Sequence, residues 1–274
     1  MKLNHLNKIT ESFGPTSKMP VLFLGHGSPM NAIEENEFVQ GFRQVSTEID
    51  NPKAILCISA HWETRGTMVT AMENPPTIHD FGGFPRALFD VQYPAPGSPD
   101  LANQTAELII STDVQLDHKW GLDHGAWSVI KHLYPDANIP VVQMSIDYTK
   151  GPQYHYDLAR EISKLRERGV LIVGSGNMVH NLRAIDWRRL NEEFGFDWAI
   201  EANTKMKEFI KTGNHAELIN YHRHGAAFQM SIPTPEHYLP LIYSLALQEK
   251  NEEIHFFNDQ LIAGSITMTS VKIG

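Results

Sequence analysis

Short runs of apolar, mostly β-branched residues recur along the whole chain and limit the folds open to it. Most of them are apolar at nearly every position, which is typical of strands covered on both faces of a sheet. A chain with this pattern must bury a sheet between two other layers. The runs are Val21–Leu24, Ala54–Ser59, Met68–Ala71, Val141–Ile146, Val170–Val173 and Ile266–Ile273.

Apolar residues at helical spacing fill several stretches between these runs. Ser98 and Pro99 are a typical cap and first residue for one helix, and Gly169 is placed to end another. Strands that alternate with helices predict an α/β fold with a mixed, mainly parallel sheet and helices on both faces. The final run can add an antiparallel strand. The predicted helices are Leu101–Ile110, Tyr156–Arg168, Trp198–Lys211 and Tyr238–Leu247.

The chain reads as one domain, since it has no repeats, low-complexity tracts or Ser/Gly linkers. Its 274 residues are 42% hydrophobic, enough for a large core. Residues 1–18 mix Asn, Lys, Glu and Ser without an apolar segment, so we expect an N-terminal extension there and a single domain over residues 19–274.

Composition also excludes several classes of partner. The net charge is -9 and the lysines and arginines are scattered, so we expect no nucleic-acid surface. No apolar run approaches the roughly 20 residues of a membrane span, and no signal-peptide pattern opens the chain. The single cysteine, Cys57, allows no internal disulfide. Together these features predict a cytoplasmic protein with no membrane partner.

Three long segments break the alternation of strands and helices. They are rich in Pro and Gly or carry His-containing motifs, and long irregular loops in a compact domain are often functional. The first could cover a pocket, because it contains aromatic residues next to a histidine and an aspartate. The segments are Glu73–Pro99, Asp117–Trp127 and Gly225–Glu236.

Three of the 14 histidines follow predicted strands. His26 comes after the first run, His61 after the second, and His180 one turn after the run that ends at Val173. Because the carboxyl ends of parallel strands meet at one edge of a sheet, where α/β folds build their sites, we expect these side chains to converge.

Glycines flank two of these histidines. Gly25 and Gly27 surround His26, while Gly174 and Gly176 precede His180. Glycine permits close backbone approach to a ligand or metal. Neither pair is a complete dinucleotide fingerprint, so a nucleotide site is disfavoured.

Two further histidines join the candidate site. His237 opens an apolar helix next to Glu236, and the helix dipole already accounts for an acidic residue at that position. We therefore take His237 as the ligand and keep Glu236 as the alternative. His124, in a loop that leads into a helix, is a candidate general acid or substrate contact, with a packed turn residue as the structural alternative.

A histidine-rich site with an open position suits Fe(II), Zn(II) or Mn(II), because neutral imidazole is the commonest metal ligand in proteins. The residues alone hardly separate an oxidative enzyme from a zinc hydrolase that uses the same histidines. A binding protein with a structural metal is the third reading.

Six motifs in one order resemble the class III extradiol ring-cleavage dioxygenases, closest to the 4,5-DOPA extradiol branch. The resemblance runs from about Met19 to the C-terminus. It implies a three-layer α/β/α catalytic domain with a non-haem metal site. The motifs are Gly25–Pro29, Ser59–Trp62, Pro76–Pro85, Leu122–Gly125, Gly174–Asn181 and Pro233–Pro240.

The resemblance also implies a role for each histidine. His26, His61 and His237 match the metal ligands, although related enzymes use a glutamate as the third ligand. His180 matches the catalytic base and could become a fourth ligand when zinc is bound. His124 matches a histidine near the substrate. The expected substrate contacts are Ser28, His79, Phe81 and Tyr238.

The implied reaction opens a catechol ring, of the L-DOPA 4,5-cleavage type, with O2 and gives a muconic semialdehyde. Its partners are therefore a small-molecule catechol and O2. Fe(II) is the expected cofactor for activity, and Zn(II) is expected in purified protein. A zinc form saturated by four histidines has no open position and should be inactive.

Overall fold

The computed structural model describes residues 17–190 and 192–274. The predicted N-terminal extension therefore lies outside the described residues, apart from its last two. Of these, Lys18 forms an ion pair of 2.7 Å with Glu252 near the other end of the chain. The polypeptide is thus tied to the fold from its first described residues onward.

An eight-stranded mixed sheet forms the centre of the fold, in the order β4-β3-β5-β2-β6-β1-β10-β7, and β8 pairs with β9 in a separate ribbon. The central strands β5, β2, β6 and β1 are parallel, while β3 and β10 run antiparallel to their inner neighbours. The strands are β1 (Val21–Gly25), β2 (Ala54–Thr64), β3 (Thr67–Thr70), β4 (Val114–Asp117), β5 (Val141–Asp147), β6 (Val170–Gly176), β7 (Ile254–Phe257), β8 (Leu261–Ile262), β9 (Ile266–Thr267) and β10 (Ser270–Ile273).

Helices cover both faces of this sheet. Within the described part of the chain, none is long and apolar enough to cross a membrane. The α-helices are α1 (Glu37–Thr47), α2 (Arg86–Phe89), α3 (Pro99–Leu108), α4 (His124–Leu133), α5 (Pro152–Glu161), α6 (Asp197–Lys211), α7 (His215–Ile219), α8 (Ala226–Ser231) and α9 (Leu239–Ala246).

Alternation along the strands divides the core into two layers. Leu22 and Leu24 of β1 pack with α1 and α4, whereas Val21 and Phe23 pack with α3, α5, α6 and α9. Because successive side chains of a strand point to opposite faces, a fully apolar strand must be covered twice. The predicted α/β class, with a mixed and mainly parallel sheet between helical layers, is confirmed.

Some predicted element boundaries are wrong for physical reasons. The second run extends to Thr64, so His61 lies inside β2, at a register shift between Ile58 and Glu63. The last run divides into β9 and β10. The helix predicted up to Arg168 leaves α-geometry after Glu161 and continues as a 3₁₀ turn.

Capping residues were more reliable than helix lengths. Ser98 accepts a hydrogen bond from the backbone N–H of Leu101, with Pro99 in the first turn as predicted. Gly169 ends the 3₁₀ turn with a φ of 81°, a conformation that glycine adopts without strain. The irregular segments contain the short helices α2 and α8, and β4, β7 and α1 were not predicted.

Candidate metal centre

Three histidines from distant parts of the sequence form a triangle at one edge of the sheet. The ring centroids of His26, His61 and His237 lie 5.1, 5.3 and 5.0 Å apart. One candidate ligand atom from each lies within 4.8 Å of the others. The predicted convergence of His26 and His61 is therefore observed, and His237 joins them from the turn before α9.

The hydrogen bonds around His26 determine which of its nitrogens faces the other histidines. Ser175 donates its hydroxyl proton to the carbonyl of Gly125 at 2.5 Å, so its oxygen must accept from Nδ1 of His26 at 3.0 Å. With the proton on Nδ1, Nε2 carries a lone pair. This Nε2 lies 3.3 Å from Nε2 of His61.

A carboxylate takes the same position behind His237, whose Nδ1 lies 3.1 Å from Oε1 of Glu236. This acceptor leaves Nε2 of His237 as the free lone pair. Nδ1 of His61 has a longer approach of 3.4 Å to Oδ2 of Asp80. Metal-binding histidines in proteins usually have such a partner on the second ring nitrogen.

This donor set fits a metal ion. Two nitrogens bound at about 2.0 Å to one tetrahedral ion lie about 3.3 Å apart, and the two Nε2 atoms of His26 and His61 have this separation. Three neutral imidazoles that converge in this way suit a divalent transition metal and leave positions open. Glu236 groups with His180 and His237 rather than with the triangle, which favours His237 over Glu236 as the third ligand.

Burial keeps the site histidines neutral. Desolvation and, next, the neighbouring His124 lower the pKa of His61 to about 4, although Asp123 and Asp80 act in the opposite sense. The pKa values of His26 and His237 fall well below the usual value, chiefly through burial and then through neighbouring histidines. Neutral imidazoles bind a cation without first releasing a proton.

Two more histidines border the triangle, each in contact with a different member of it. His180 stacks on His237 with a centroid separation of 3.5 Å and an interplanar angle of 8°. His124 lies 3.8 Å from the ring of His61, and its Nδ1 is 2.9 Å from Oδ2 of Asp80. Both rings can thus reach a molecule bound beside the triangle.

The N-terminus of α4 fixes the position of His61. Asp123 caps this helix through the N–H of Ala126 and accepts a 2.6 Å hydrogen bond from Ser59, whose oxygen accepts the backbone N–H of His61. Gly125 lets the helix approach closely, because a Cβ there would lie 2.6 Å from the ring of His61. The irregularity in β2 and the Asp123 cap of α4 therefore act together to hold His61 in place.

The predicted substrate contacts do not all reach the site. Tyr238 is buried and its hydroxyl donates to the carbonyl of Leu218, so this residue belongs to the core. Ser28 is exposed and accepts the backbone N–H of Met30 at a 3₁₀ turn. Neither observation places these two hydroxyls at the triangle.

The other two predicted contacts lie on the segment between β3 and α3. The ring of Phe81 meets that of His124 edge-on, with a centroid separation of 5.4 Å. His79 packs against Phe81 and Trp127, and its Nε2 lies 2.9 Å from the carbonyl of Val91. Phe81 therefore borders the site, whereas His79 stabilises the segment behind it.

Residues 17–268 match the family described as the catalytic LigB subunit of aromatic ring-opening dioxygenase. The chain belongs to this family. The match covers nearly the whole described chain, including all five site histidines. The resemblance to class III extradiol ring-cleavage dioxygenases, predicted from the six motifs, is thereby confirmed, as is the class of enzyme, an extradiol dioxygenase.

Individual LigB relatives extend this result. The chain is 46% identical over 263 residues to a 4,5-DOPA dioxygenase extradiol of Escherichia coli K12, with 94% of this chain and 96% of the relative covered. It is 33% identical to the protein of that name from Beta vulgaris, with 91% and 94% covered. A crystal structure of an uncharacterised Escherichia coli K12 protein superposes with a TM-score of 0.79 at 41% identity, covering 93% of this chain and all of that one.

Sequence reasoning missed the partners of the histidines rather than the histidines themselves. Ser175 lies between two glycines at the end of β6, and Asp80 lies in an irregular loop. Ser175 could have been noticed because it shares a strand end with His180. No periodic pattern predicts which side chain of a long loop returns to the sheet.

Proposed function

We propose that this chain is an Fe(II)-dependent extradiol dioxygenase that opens the ring of L-DOPA, or a closely similar catechol, at the 4,5 position. The second substrate is O2 and the product is a muconic semialdehyde. The observation that carries the proposal is the triangle of three converging histidines, His26, His61 and His237, with two further histidines beside it. The names of the relatives support the choice of catechol.

His26, His61 and His237 would hold the ion through Nε2, and Glu236 would orient His237. When bound, Fe(II) supplies positive charge that favours the deprotonated catechol and the redox chemistry that O2 requires. Three protein ligands leave room for two substrates, which is the requirement that distinguishes this reaction from structural metal binding.

His180 serves as the proton acceptor for a catechol hydroxyl. Burial, opposed in part by Glu236, lowers its pKa to about 4, so the free ring is neutral near pH 7 and has a lone pair for the proton. Negative charge that develops on the catechol favours the protonated ring and strengthens the base as the proton moves. Its stacking on His237 keeps it next to a ligand of the ion.

His124 serves as the proton donor next to His61. Its Nδ1–H is held by Asp80, so Nε2 faces the reacting molecule. The donating form is the imidazolium, which releases the Nε2 proton and returns to the neutral Nδ1–H ring. Phe81 supplies an apolar edge beside this ring, which suits the flat face of a catechol and excludes water. His180 takes one catechol proton, and His124 supplies one that it has first taken up at Nε2 from the second catechol hydroxyl or from water, so the two transfers balance.

Zn(II) fits the same three nitrogens, and we expect it in protein purified without added iron. His180 stacks against His237 and groups with it and Glu236, so a small ring movement would be needed for it to become a fourth ligand. A form saturated in this way cannot accept catechol and should not consume O2.

The proposal is tested by loading the metal-free protein with Fe(II) under anaerobic conditions, adding L-DOPA, and admitting air while oxygen uptake and visible absorbance are recorded together. We expect oxygen consumption in step with a yellow product. In His180→Ala, metal content should be retained while kcat falls about 100-fold or more, the usual contribution of a general base.

The proposal would be overturned if protein shown to hold Fe(II) consumed no oxygen with L-DOPA or with a panel of simple catechols. Ring cleavage that continues at the wild-type rate in His180→Ala would overturn the assignment of the base alone. Zn(II)-loaded wild type is the matched control for metal-independent oxidation of the catechol.

A further inference from the structure

The segment that carries Asp80 is held firmly against α4. The backbone N–H of Ile78 donates to the carbonyl of Leu122 at 2.7 Å, and the N–H of Leu122 donates to Pro76 at 2.8 Å. The indole of Trp127 donates to the carbonyl of Ile78 at 2.8 Å. The residues just before Asp80 therefore have a fixed position relative to the start of the helix.

Both carboxylate oxygens of Asp80 are directed at one residue. Oδ1 accepts the backbone N–H of His124 at 2.8 Å, and Oδ2 lies 2.9 Å from its ring Nδ1. The same Oδ2 is 3.4 Å from Nδ1 of His61. The side chain of Asp80 is only 17% exposed, so water competes weakly for these contacts.

We propose that Asp80 is a positioning residue that fixes His124 as the Nδ1–H tautomer and directs its Nε2 toward the reacting molecule. The predicted effect on catalysis rests on the proposed function. The predicted tautomer of His124 does not depend on that function. The backbone N–H of His124 holds the carboxylate of Asp80 in place, and the carboxylate holds the ring through Nδ1. Turning the ring would leave the buried Nδ1–H without an acceptor, so rotation is unfavourable.

Direct metal binding is the competing role for this carboxylate, since Asp80 groups with His61 and His124 at ligand-like distances. Two facts favour positioning. Each oxygen already faces a donor of His124, and the Nε2 atom of His61 points away from Asp80 toward His26. A carboxylate behind a histidine orients that histidine rather than replacing it.

Asp80→Asn separates these roles because the amide has the same shape but only one acceptor. The N–H of His124 is a backbone donor that cannot change, so the amide oxygen stays at Oδ1. The amide NH₂ then faces Nδ1 of His124, which must carry a lone pair, and the proton moves to Nε2. The substitution thus reverses the tautomer of His124 and keeps the size and shape of the side chain at position 80.

The experiment measures the ¹⁵N resonances of the His124 ring in the diamagnetic Zn(II)-loaded full chain, assigned by their loss in His124→Gln. We expect the Nδ1–H form in wild type and the Nε2–H form in Asp80→Asn. With Fe(II) and L-DOPA, kcat of Asp80→Asn should fall about 100-fold or more, because a ring whose Nδ1 faces an NH₂ group cannot form the imidazolium that donates from Nε2, while KM and metal content stay within about threefold. Asp90→Asn is the matched control, because Asp90 is an exposed carboxylate of the same segment that pairs with Arg86.

An Nε2–H form of His124 in wild type overturns the proposal, whatever the variants do and even if Asp80→Asn fails to fold. So does an Asp80→Asn protein with unchanged tautomer and kcat, or one that loses its metal, which would make Asp80 a ligand. If wild type consumes no O2, the proposed function fails, but the tautomer measurement still decides the positioning role.

Discussion

At the scale of single residues, the site depends on which nitrogen of each imidazole carries the proton. Ser175, Glu236 and Asp80 lie behind the rings, and their oxygens account for protons at Nδ1. A histidine without such an acceptor divides its population between two tautomers, only one of which presents Nε2. Oxygen atoms that need not contact the ion therefore determine which ring nitrogens are free to bind it.

Ser175→Ala tests this dependence. The substitution removes the acceptor for the Nδ1 proton of His26 and leaves that ring free to rotate, so metal affinity should fall about 10- to 100-fold. The measurement is competition between the protein and a chromophoric chelator for Zn(II).

Ser128→Ala is the control for Ser175→Ala, since Ser128 lies on α4 and its buried hydroxyl has no hydrogen-bond partner among the described residues. Its loss should leave Zn(II) affinity unchanged. Equal affinities for the Ser175→Ala protein and wild type would show that the serine does not set the tautomer.

At the scale of elements, the site depends on how closely the turn before α9 approaches the end of β6. A Cβ on Gly176 would lie 2.1 Å from the carbonyl oxygen of His237, and this oxygen accepts the N–H of Asn177 at 2.8 Å. The backbones meet where only glycine fits, and this contact brings His237 to the two strand-borne histidines.

Gly176→Ala should therefore damage stability and metal binding together. The methyl group must displace the backbone of His237, and overpacking of this kind costs about 1–3 kcal/mol. Thermal unfolding and Zn(II) affinity of the same preparation provide the measurement. Gly151→Ala is the control, because nothing lies within 4 Å of its added Cβ. Wild-type Zn(II) affinity in Gly176→Ala would contradict the argument.

The same elements show what the sequence could predict. Strand ends placed His26 and His180 at one sheet edge, and the apolar start of α9 indicated His237. His61 was predicted to follow the end of its strand. The strand instead continues past it through an irregularity that no residue pattern indicates. Tyr238 was predicted at the substrate, whereas its hydroxyl contacts the carbonyl of Leu218. The position of Asp80 depends on contacts between two loops.

At the scale of the whole molecule, burying neutral histidines makes stability depend on pH. The pKa values of His61, His180 and His155 fall to about 4, chiefly through burial. The unfolded chain takes up protons on these groups near pH 6.5, whereas the folded chain does not. Stability from this source is complete above pH 6.5 and is lost as pH falls toward 4.

The metal-free protein should accordingly melt at progressively lower temperature as pH falls from 6.5 to 4.5. Carboxylates do not account for a loss of stability in this window. Burial raises the pKa of Glu63, so acidification favours the fold at that residue. Burial would raise the pKa of Glu252, but hydrogen bonds from Arg166 and Lys18 lower it to about 2, so its contribution is lost only below 4.5. Circular dichroism melts across this range provide the measurement, and a melting temperature that is constant or rises on acidification would contradict the account.

The central claim is that both atoms of O2 enter an opened catechol ring at the histidine triangle. The most direct measurement is mass spectrometry of the product formed from L-DOPA by the Fe(II)-loaded protein under ¹⁸O2, in a single turnover that limits exchange with water. The account predicts a ring-opened product that carries two ¹⁸O atoms. A product labelled only from water, or an intact ring oxidised to a quinone, would contradict it.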